Sequence, residues 1–278
     1  PVLVNLKPSG QHYMEDFYKA GGLVTVLREL KPLLHLDALT VTGRTLGEEL
    51  DKTSKAFPQE VIRSLDKPLY TQGGMVVLRG NLAPDGAVIK QSAASTQLME
   101  HEGRAVVFEN LEDLDYRIDD PELDVAADDV LVLKNIGPVG APGMPEAGYI
   151  PIPKKLARQG VKDMVRISDG RMSGTAAGTI VLHVTPEAAI GGPLALVCTG
   201  DRIRLSVADR SITLLLSEAE LERRAEMMES SHLHVQERGY RKLYRQTVTQ
   251  ADQGCDFDFL RATQMKESVP KSQRKPHS

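Results

Sequence analysis

The chain has 278 residues, with 34 basic and 38 acidic side chains and a formal charge of −4, a balance that argues against nucleic acid as a partner. Apolar residues make up 41% but aromatics only 4%, with no Trp, so aliphatic packing must form the core and a base-stacking surface is not expected. Cys198 and Cys255 lie far apart without a C-x-x-C partner, which supports neither a disulfide framework nor a zinc or iron–sulfur site within the chain.

A reducing compartment is the simpler reading of so few cysteines. No apolar run is long enough to span a membrane and no charged-then-apolar leader opens the chain, so no membrane association is expected and the cytoplasm is the expected location. The length allows one large or two ordinary domains. The opening PVLVNLKPSG reads like the middle of a fold, and the chain is expected to be a fragment.

In chain order, Met14, Phe17, Gly21, Val24 and Leu27 are spaced three or four apart, which predicts a helix over 13–30 with these residues on its buried face. The pair Gly21-Gly22 marks a break or a close helix contact within it. A second short helix is expected over 45–52. Pro58, Pro68 and Gly73-Gly74 then punctuate a poorly periodic stretch, and a domain junction is expected there. From Met75 the texture changes to nine short β-type runs: MVVLRG, GAVIKQ, RAVVF, VLVLK, DMVRI, TIVLHV, LALV, RIRLSV and SITLLL. That number predicts a barrel or sandwich. Tight turns are expected at Ala83-Pro84-Asp85-Gly86 and Thr199-Gly200-Asp201. Helical pieces are expected over 111–118, 151–158 and 186–189, which makes the barrel α/β-decorated. Ser217 with Glu220 forms a capping box opening a helix over 218–229, with Glu220 and Arg224 as an i,i+4 pair. A further helix over 236–250 is interrupted by Gly239, and the polar, Pro-containing end is expected to be disordered.

Two loops concentrate backbone-permissive residues around a few polar side chains. The first, Asn135-Ile-Gly-Pro-Val-Gly-Ala-Pro-Gly-Met-Pro-Glu146, holds a fixed non-repetitive path, and loops of that kind position something. Glu146 is its one ionisable group: a hard oxygen donor suited to Mg²⁺, or else the acid that opens a short helix after Pro145. The second, Ser168-Asp-Gly-Arg-Met-Ser173-Gly-Thr175-Ala-Ala-Gly178, offers hydroxyls beside amide donors that could cradle a carboxylate or phosphate, or else is a Ser/Gly turn without a ligand. It is neither a nucleophile elbow, since Gly170 is three residues before Ser173, nor a P-loop, since no Lys follows the glycines. Ser173 could act in acid–base chemistry only if metals or amides stabilised its alkoxide. His232 and His234 fit solvated positions better than a metal site, and His101 fits the end of a turn.

The segments LKPSGQHYMEDFYKAGG, LRGNLAPDGAVIKQSAAS, HEGRAVVFEN, NIGPVGAPGMPEAGYIPIPKKLARQGVKDMVRISDGRMSGTAAGT and VTPEAAIGGPLALVCTGDRI together resemble the dihydroxy-acid and sugar-acid dehydratase (IlvD/Edd) family, from about Lys7 to Leu260. The resemblance implies a hydro-lyase that takes a 2,3-dihydroxy acid to a 2-oxo acid, with an iron–sulfur cluster as Lewis acid and a Mg²⁺ ion beside it. By resemblance the metal ligand of the P-G-M-P-E motif falls on Glu146, the catalytic alkoxide that takes the C2 proton falls on Ser173, and a substrate-binding hydroxyl falls on Thr175.

The implied fold is α/β, the end of an amino-terminal α/β domain followed by an aconitase-like swivelling β-barrel flanked by helices. Residues 1–74 would be the remainder of the metal and cluster domain, 75–260 the barrel with its terminal helices, and 261–278 a tail. The family's cluster cysteines and its other Mg²⁺ ligands lie in an amino-terminal half not present here, so both cofactors, the cluster being 2Fe–2S in preference to 4Fe–4S, would need that half and this chain alone would be inactive. The ending QADQGCDFDFL looks like the sugar-acid branch, such as arabinonate or xylonate dehydratases, although Ala177 stands where many of those members have Tyr. The expected substrate is therefore a sugar acid, with the dihydroxy acids of branched-chain amino-acid synthesis as the alternative, and the complete protein is expected to be a homo-oligomer. The rival from another class is a non-catalytic barrel that binds a carboxylate.

Overall fold

The computed structural model describes residues 1–52, 58–174, 176–229 and 238–261. In the first part the expected long helix is two short ones, α1 (Met14–Lys19) and α2 (Gly22–Glu29). Gly21 and Gly22 sit at φ +92° and +60°, and a Cβ on Gly21 would collide with Thr25 Oγ1. The break also overturns the expected buried face: Met14 and Val24 are exposed, and Ala20 and Thr25 are buried instead, because three-four spacing carries no common face across two helices with different axes. Helix α3 (Leu46–Asp51) is opened by Thr45, whose hydroxyl accepts from Glu48 N at 3.3 Å while Glu48 Oε2 accepts from Thr45 N at 2.9 Å. Residues 58–74 are irregular and are tied back by the bridges Val2 to Tyr70 and Val4 to Ile62. A small core of Ala20, Val61 and Ile62 sits beneath.

The rest is a closed eight-stranded barrel. In chain order it has β1 (Val76–Gly80), β2 (Ala83–Ile89), β3 (Glu100–Phe108), α4 (Leu111–Arg117), β4 (Val130–Leu133), α5 (Lys154–Arg158), β5 (Val165–Ser168), β6 (Ile180–Thr185), β7 (Arg202–Ser206) and β8 (Ser211–Leu214). Around the barrel the order is β1-β2-β6-β5-β4-β3-β7-β8. The pairs β3/β4, β4/β5 and β5/β6 are parallel; β1/β2, β2/β6, β3/β7 and β7/β8 are antiparallel; and one parallel bridge, Arg79 to Ser211, closes β1 on β8. Val76, Leu78, Val107, Val132, Ile167, Val181, Ile203 and Ile212 are among the residues filling the interior. Outside, Leu114 and Ile118 from α4 and its end, with Leu156 from α5, pack on Val106, Phe108, Leu131 and Leu133. Strands β4 and β5 are therefore buried on both faces; β4 reads as an unbroken apolar run for that reason, whereas β5 buries Arg166 by pairing it with Asp163 at 2.7 Å.

Eight strands rather than nine form because LALV is a 3₁₀ turn over Pro193–Leu196, with Pro193 at its start, where its fixed φ and missing N–H suit a helical first turn. The hairpin turn between the first two strands also moves. Ala83, Pro84, Asp85 and Gly86 belong to β2, and the two-residue loop is Asn81-Leu82, since Gly80 pairs with Ala83. The helices after the barrel are α6 (Glu218–Glu229), where Glu220 N donates to Ser217 Oγ at 3.3 Å, and α7 (Gly239–Thr247). Gly239 begins α7 and does not interrupt it. His232, His234 and the tail from residue 262 onward lie outside the described residues.

Candidate active site

Strands β3 to β6 run parallel, so their carboxyl ends gather at one end of the barrel, and each return to the next strand must cross that end. Two of these returns are the loops singled out in the sequence: residues 134–150 leaving β4 and residues 169–179 leaving β5. They lie side by side. Gly148 N donates to Arg171 O at 2.8 Å, and a Cβ on Gly148 would sit 2.8 Å from that same oxygen, so glycine is what allows the contact.

Glu146 starts no helix, which removes the helix-opening alternative. Its carboxylate receives Arg171 Nη1 at 2.7 Å, with the two side chains 48% and 43% exposed. Arg171 Nε also donates to Met144 O at 2.6 Å, so one guanidinium spans the turn that presents Glu146. Ser173, two residues beyond Arg171, is half-buried. Its carbonyl accepts from Ala176 N at 3.1 Å, and Lys90 Nζ reaches the next carbonyl, that of Gly174, at 3.0 Å. An ammonium and a guanidinium thus flank the segment that carries the hydroxyl, and nearby positive charge favours an ionised oxygen. Thr175 lies outside the described residues; Ala177 is exposed. His101 lies on β3 rather than ending a turn, with Nε2 2.8 Å from Asp128 O.

Two buried carboxylates that the sequence reading left without a role hold these loops. Asp169, directly after β5, accepts from Asn135 N (3.2 Å), Ile136 N (3.0 Å) and Ala188 N (2.9 Å). Burial pushes its carboxyl up to about 6 despite those donors, and the nearby Glu187 charge adds to the rise. Glu187, just after β6, accepts from Val139 N at 2.8 Å and Gly140 N at 2.8 Å. A Cβ on Gly137 would lie 2.6 Å from its Oε2. No local sequence signal marks either residue, because every amide it accepts from belongs to a distant segment. His183, at φ +54° within β6, donates its backbone N–H to Gly170 O at 3.1 Å. Burial first, then the Arg171 charge, holds its imidazole below the ordinary histidine range, and its buried Nδ1 has no hydrogen-bond partner among the described residues.

The first loop borders one cleft, and a second opens over β1, β2 and β6. The former, of about 650 Å³, lies between Gly140, Pro142 and Pro145 of the first loop and Arg241 and Arg245 of α7. The latter, of about 470 Å³, is walled by His183, Arg79, Asp85, Asp252 and Cys255. As a donor set, Glu146 fits a hard divalent cation, being anionic, accessible and already neutralised by a guanidinium that stands in for one. It is a single ligand. Among the described residues no group of three or more His, Cys, Asp or Glu side chains could hold a metal. The cysteines do not fit an iron–sulfur cluster: Cys198 is exposed, and Cys255 packs its Sγ 3.5 Å from Met144 Sδ.

Comparison with known proteins gives the family. The model of the dihydroxy-acid/6-phosphogluconate dehydratase carboxy-terminal region matches residues 60–255, and that of the amino-terminal region matches residues 1–49. The chain is 52% identical over 273 residues to a 6-deoxy-6-sulfo-D-gluconate dehydratase of Pseudomonas putida, covering 97% of this chain and 46% of that one. It is 52% identical to an L-arabonate dehydratase of Azospirillum brasilense (95% and 46% covered). It is 42% identical to a dihydroxy-acid dehydratase of Caldicellulosiruptor bescii (92% and 46% covered). The chain spans a little under half the length of these relatives. With a family model matched across the whole barrel and both site loops, the chain belongs to the dihydroxy-acid/6-phosphogluconate dehydratase (IlvD/Edd) family.

Proposed function

We propose that this chain is the carboxy-terminal portion of a hydro-lyase that converts a sugar acid, an aldonate, to its 2-keto-3-deoxy acid. The observation that carries the reading is the junction of the two loops through Gly148 N and Arg171 O, with Arg171 paired to Glu146 and Ser173 two residues on. In this reading Ser173 takes the C2 proton. The electrons form the C2–C3 double bond, the C3–O bond breaks, the departing hydroxyl takes a proton and leaves as water, and the enol tautomerises to the ketone. A serine hydroxyl ionises only with help, and Lys90, which reaches Gly174 O, and Arg171, two residues before Ser173, are described cations on this segment. Glu146 would hold Mg²⁺, which when bound supplies positive charge for the carboxylate and C2 oxygen of the substrate. Thr175 would bind substrate. An iron–sulfur cluster does not fit the cysteines of this chain.

The sugar-acid branch is supported by the names of the relatives at 52% identity, a sulfogluconate and an arabonate dehydratase, against 42% for the dihydroxy-acid dehydratase. Residues 1–74 would belong with the amino-terminal α/β portion of such an enzyme and residues 75–260 with the barrel. A cytoplasmic location is supported by two unpaired cysteines, and no described helix is long and apolar enough to cross a membrane. Assembly as a homo-oligomer is part of the same reading.

The test is a panel of aldonic acids, with 2,3-dihydroxyisovalerate as comparator, assayed with the full-length gene product and its Ser173→Ala variant. Turnover of an aldonate is expected, and loss of at least about 100-fold in the variant, with its circular dichroism and melting unchanged. Normal turnover by Ser173→Ala would overturn the base assignment. Turnover of dihydroxyisovalerate alone would overturn the branch.

A further inference from the structure

The loop that presents Glu146 has no regular structure of its own between residues 134 and 150, so its path must be fixed from outside. Much of that fixing comes from the segment 244–255. Tyr244 Oη accepts from Gly143 N at 3.2 Å, Arg245 Nη2 reaches Gly140 O at 3.4 Å, and Cys255 Sγ lies on Met144 Sδ. The central contact is Gln250. Its Nε2 donates to Glu187 Oε1 at 2.6 Å, and its Oε1 accepts from Glu187 N at 2.9 Å. Both ends of one amide are spent on one residue, and that residue's carboxylate carries Val139 N and Gly140 N.

Gln250 is itself held. Residues 248–257 close on themselves through the Val248 to Phe257 bridge, through Thr249 N to Asp256 O at 2.8 Å and Asp256 N to Thr249 Oγ1 at 3.0 Å, and through Gln253 N and Cys255 N to Gln250 O at 3.0 and 3.2 Å. A buried carboxylate has four lone-pair directions and two strong acceptor oxygens. Glu187 can turn toward the loop amides with the right edge only if its other edge is fixed.

We propose that Gln250 is a positioning residue for Glu146: the closed turn 248–257 sets the orientation of Glu187, Glu187 sets the glycine-rich loop, and the loop delivers Glu146 to a divalent cation. This rests on the reading of Glu146 as a metal ligand. Residues that orient a ligand without touching the metal shift affinity by about 10- to 100-fold, and an orienting role separates metal affinity from the chemical step.

The experiment uses the full-length gene product with Mn²⁺ as the probe, free Mn²⁺ being counted by electron paramagnetic resonance, alongside thermal melting and Mg²⁺ titration of turnover. Gln250→Ala is expected to weaken Mn²⁺ binding about 10-fold and to raise the half-saturating Mg²⁺ in step. At saturating Mg²⁺, kcat is expected within about twofold of the parent. The exchanged pair Gln250→Glu with Glu187→Gln keeps one donor facing one acceptor between the two residues but leaves Val139 N only the 3.0 Å contact to the remaining oxygen, and is expected to recover part of the affinity. Should Gln250→Ala not fold, Tyr244→Phe removes only the acceptor for Gly143 N, keeps the ring against Phe257, and is expected to weaken Mn²⁺ binding in the same direction. Unchanged Mn²⁺ affinity in the folded variants, with the parent binding normally, would overturn the positioning role and leave the metal reading standing. A parent that binds no Mn²⁺ and whose turnover ignores Mg²⁺ would overturn the metal reading, and this inference with it.

Discussion

Asp169 pays for its position with its charge: an ionised carboxylate in a dry setting costs free energy that three amide donors only partly offset. Its carboxyl is held up at about 6, against about 4 for an unfolded aspartate. Between those values the folded chain binds a proton that the unfolded chain has released. The contribution of this group to stability is therefore fully present below about pH 4 and lost as pH rises through 6, at most about 3 kcal/mol. Asp169→Asn should abolish that dependence, and it should also lower stability at every pH. An amide cannot accept on both sides, and its NH₂ would face a backbone N–H from Asn135 and Ala188 or from Ile136. Urea midpoints from pH 4 to 7 check both points; a variant that keeps the parent's slope would show that the titrating group lies elsewhere. The loops that carry Glu146 and Ser173 stood out in the sequence because glycines and prolines crowd them, whereas Asp169, Glu187 and Gln250 drew no notice. Their partners are backbone amides 19 or more positions away, as in Asp169 with Ala188, and one sequence carries no trace of such pairings.

At the scale of elements, barrel closure depends on a seam that strand hydrogen bonding barely covers. Strand β1 meets β8 at one bridge, Arg79 to Ser211, with Arg79 N donating to Arg210 O at 2.9 Å. Past it Asn81 takes over the role of a strand. Its Nδ2 donates to Leu214 O and its Oδ1 accepts from Leu214 N, both at 2.8 Å. Asn81→Ala leaves Leu214 N unpaired beside a buried side chain and takes one of two donors from Leu214 O, which keeps Leu216 N at 3.0 Å, and should cost about 1 to 3 kcal/mol in chemical denaturation. Asn81→Asp keeps the acceptor, loses the donor, and should fall between the two. A cost near zero for the alanine variant would mean that water replaces the amide at no loss, and that the seam is not held by this side chain. The strands were legible because a barrel wall alternates or is wholly apolar. The turn was not, because Pro84-Asp85-Gly86 has turn chemistry yet lies within β2, while the true loop includes Leu82, an apolar residue with no exposed surface. Register, fixed by the pairing of Gly80 with Ala83, overrode local preference.

Across the whole molecule the apolar surface is unevenly distributed. Among the described residues, Tyr13, Met14, Tyr18, Leu23, Val24, Leu33, Leu39 and Val41 are exposed large apolar side chains within the first 41 positions, against Val77, Tyr116, Tyr149 and Ile190 over β1 to β8. The core beneath the former group is three residues, Ala20, Val61 and Ile62, separate from the barrel interior. Single exposed apolar residues are ordinary, but a concentration of this kind on a small, thinly cored unit drives association. The 278-residue chain should therefore self-associate in light scattering and bind a hydrophobic dye. A chain of residues 60–261, which keeps both barrel cores and the 248–257 turn, should be monodisperse and unfold in one transition. Charge at two highly exposed positions, Leu39→Lys with Val41→Lys, should reduce association of the longer chain without moving the barrel's melting, because neither side chain is part of a described core. If the longer chain is monomeric and silent to the dye, the surface of residues 13–41 needs no partner. If the shorter chain associates as strongly, the adhesive surface lies on the barrel, where the row of rings from Tyr240 through Tyr244 and Phe257 to Phe259 is the place to look.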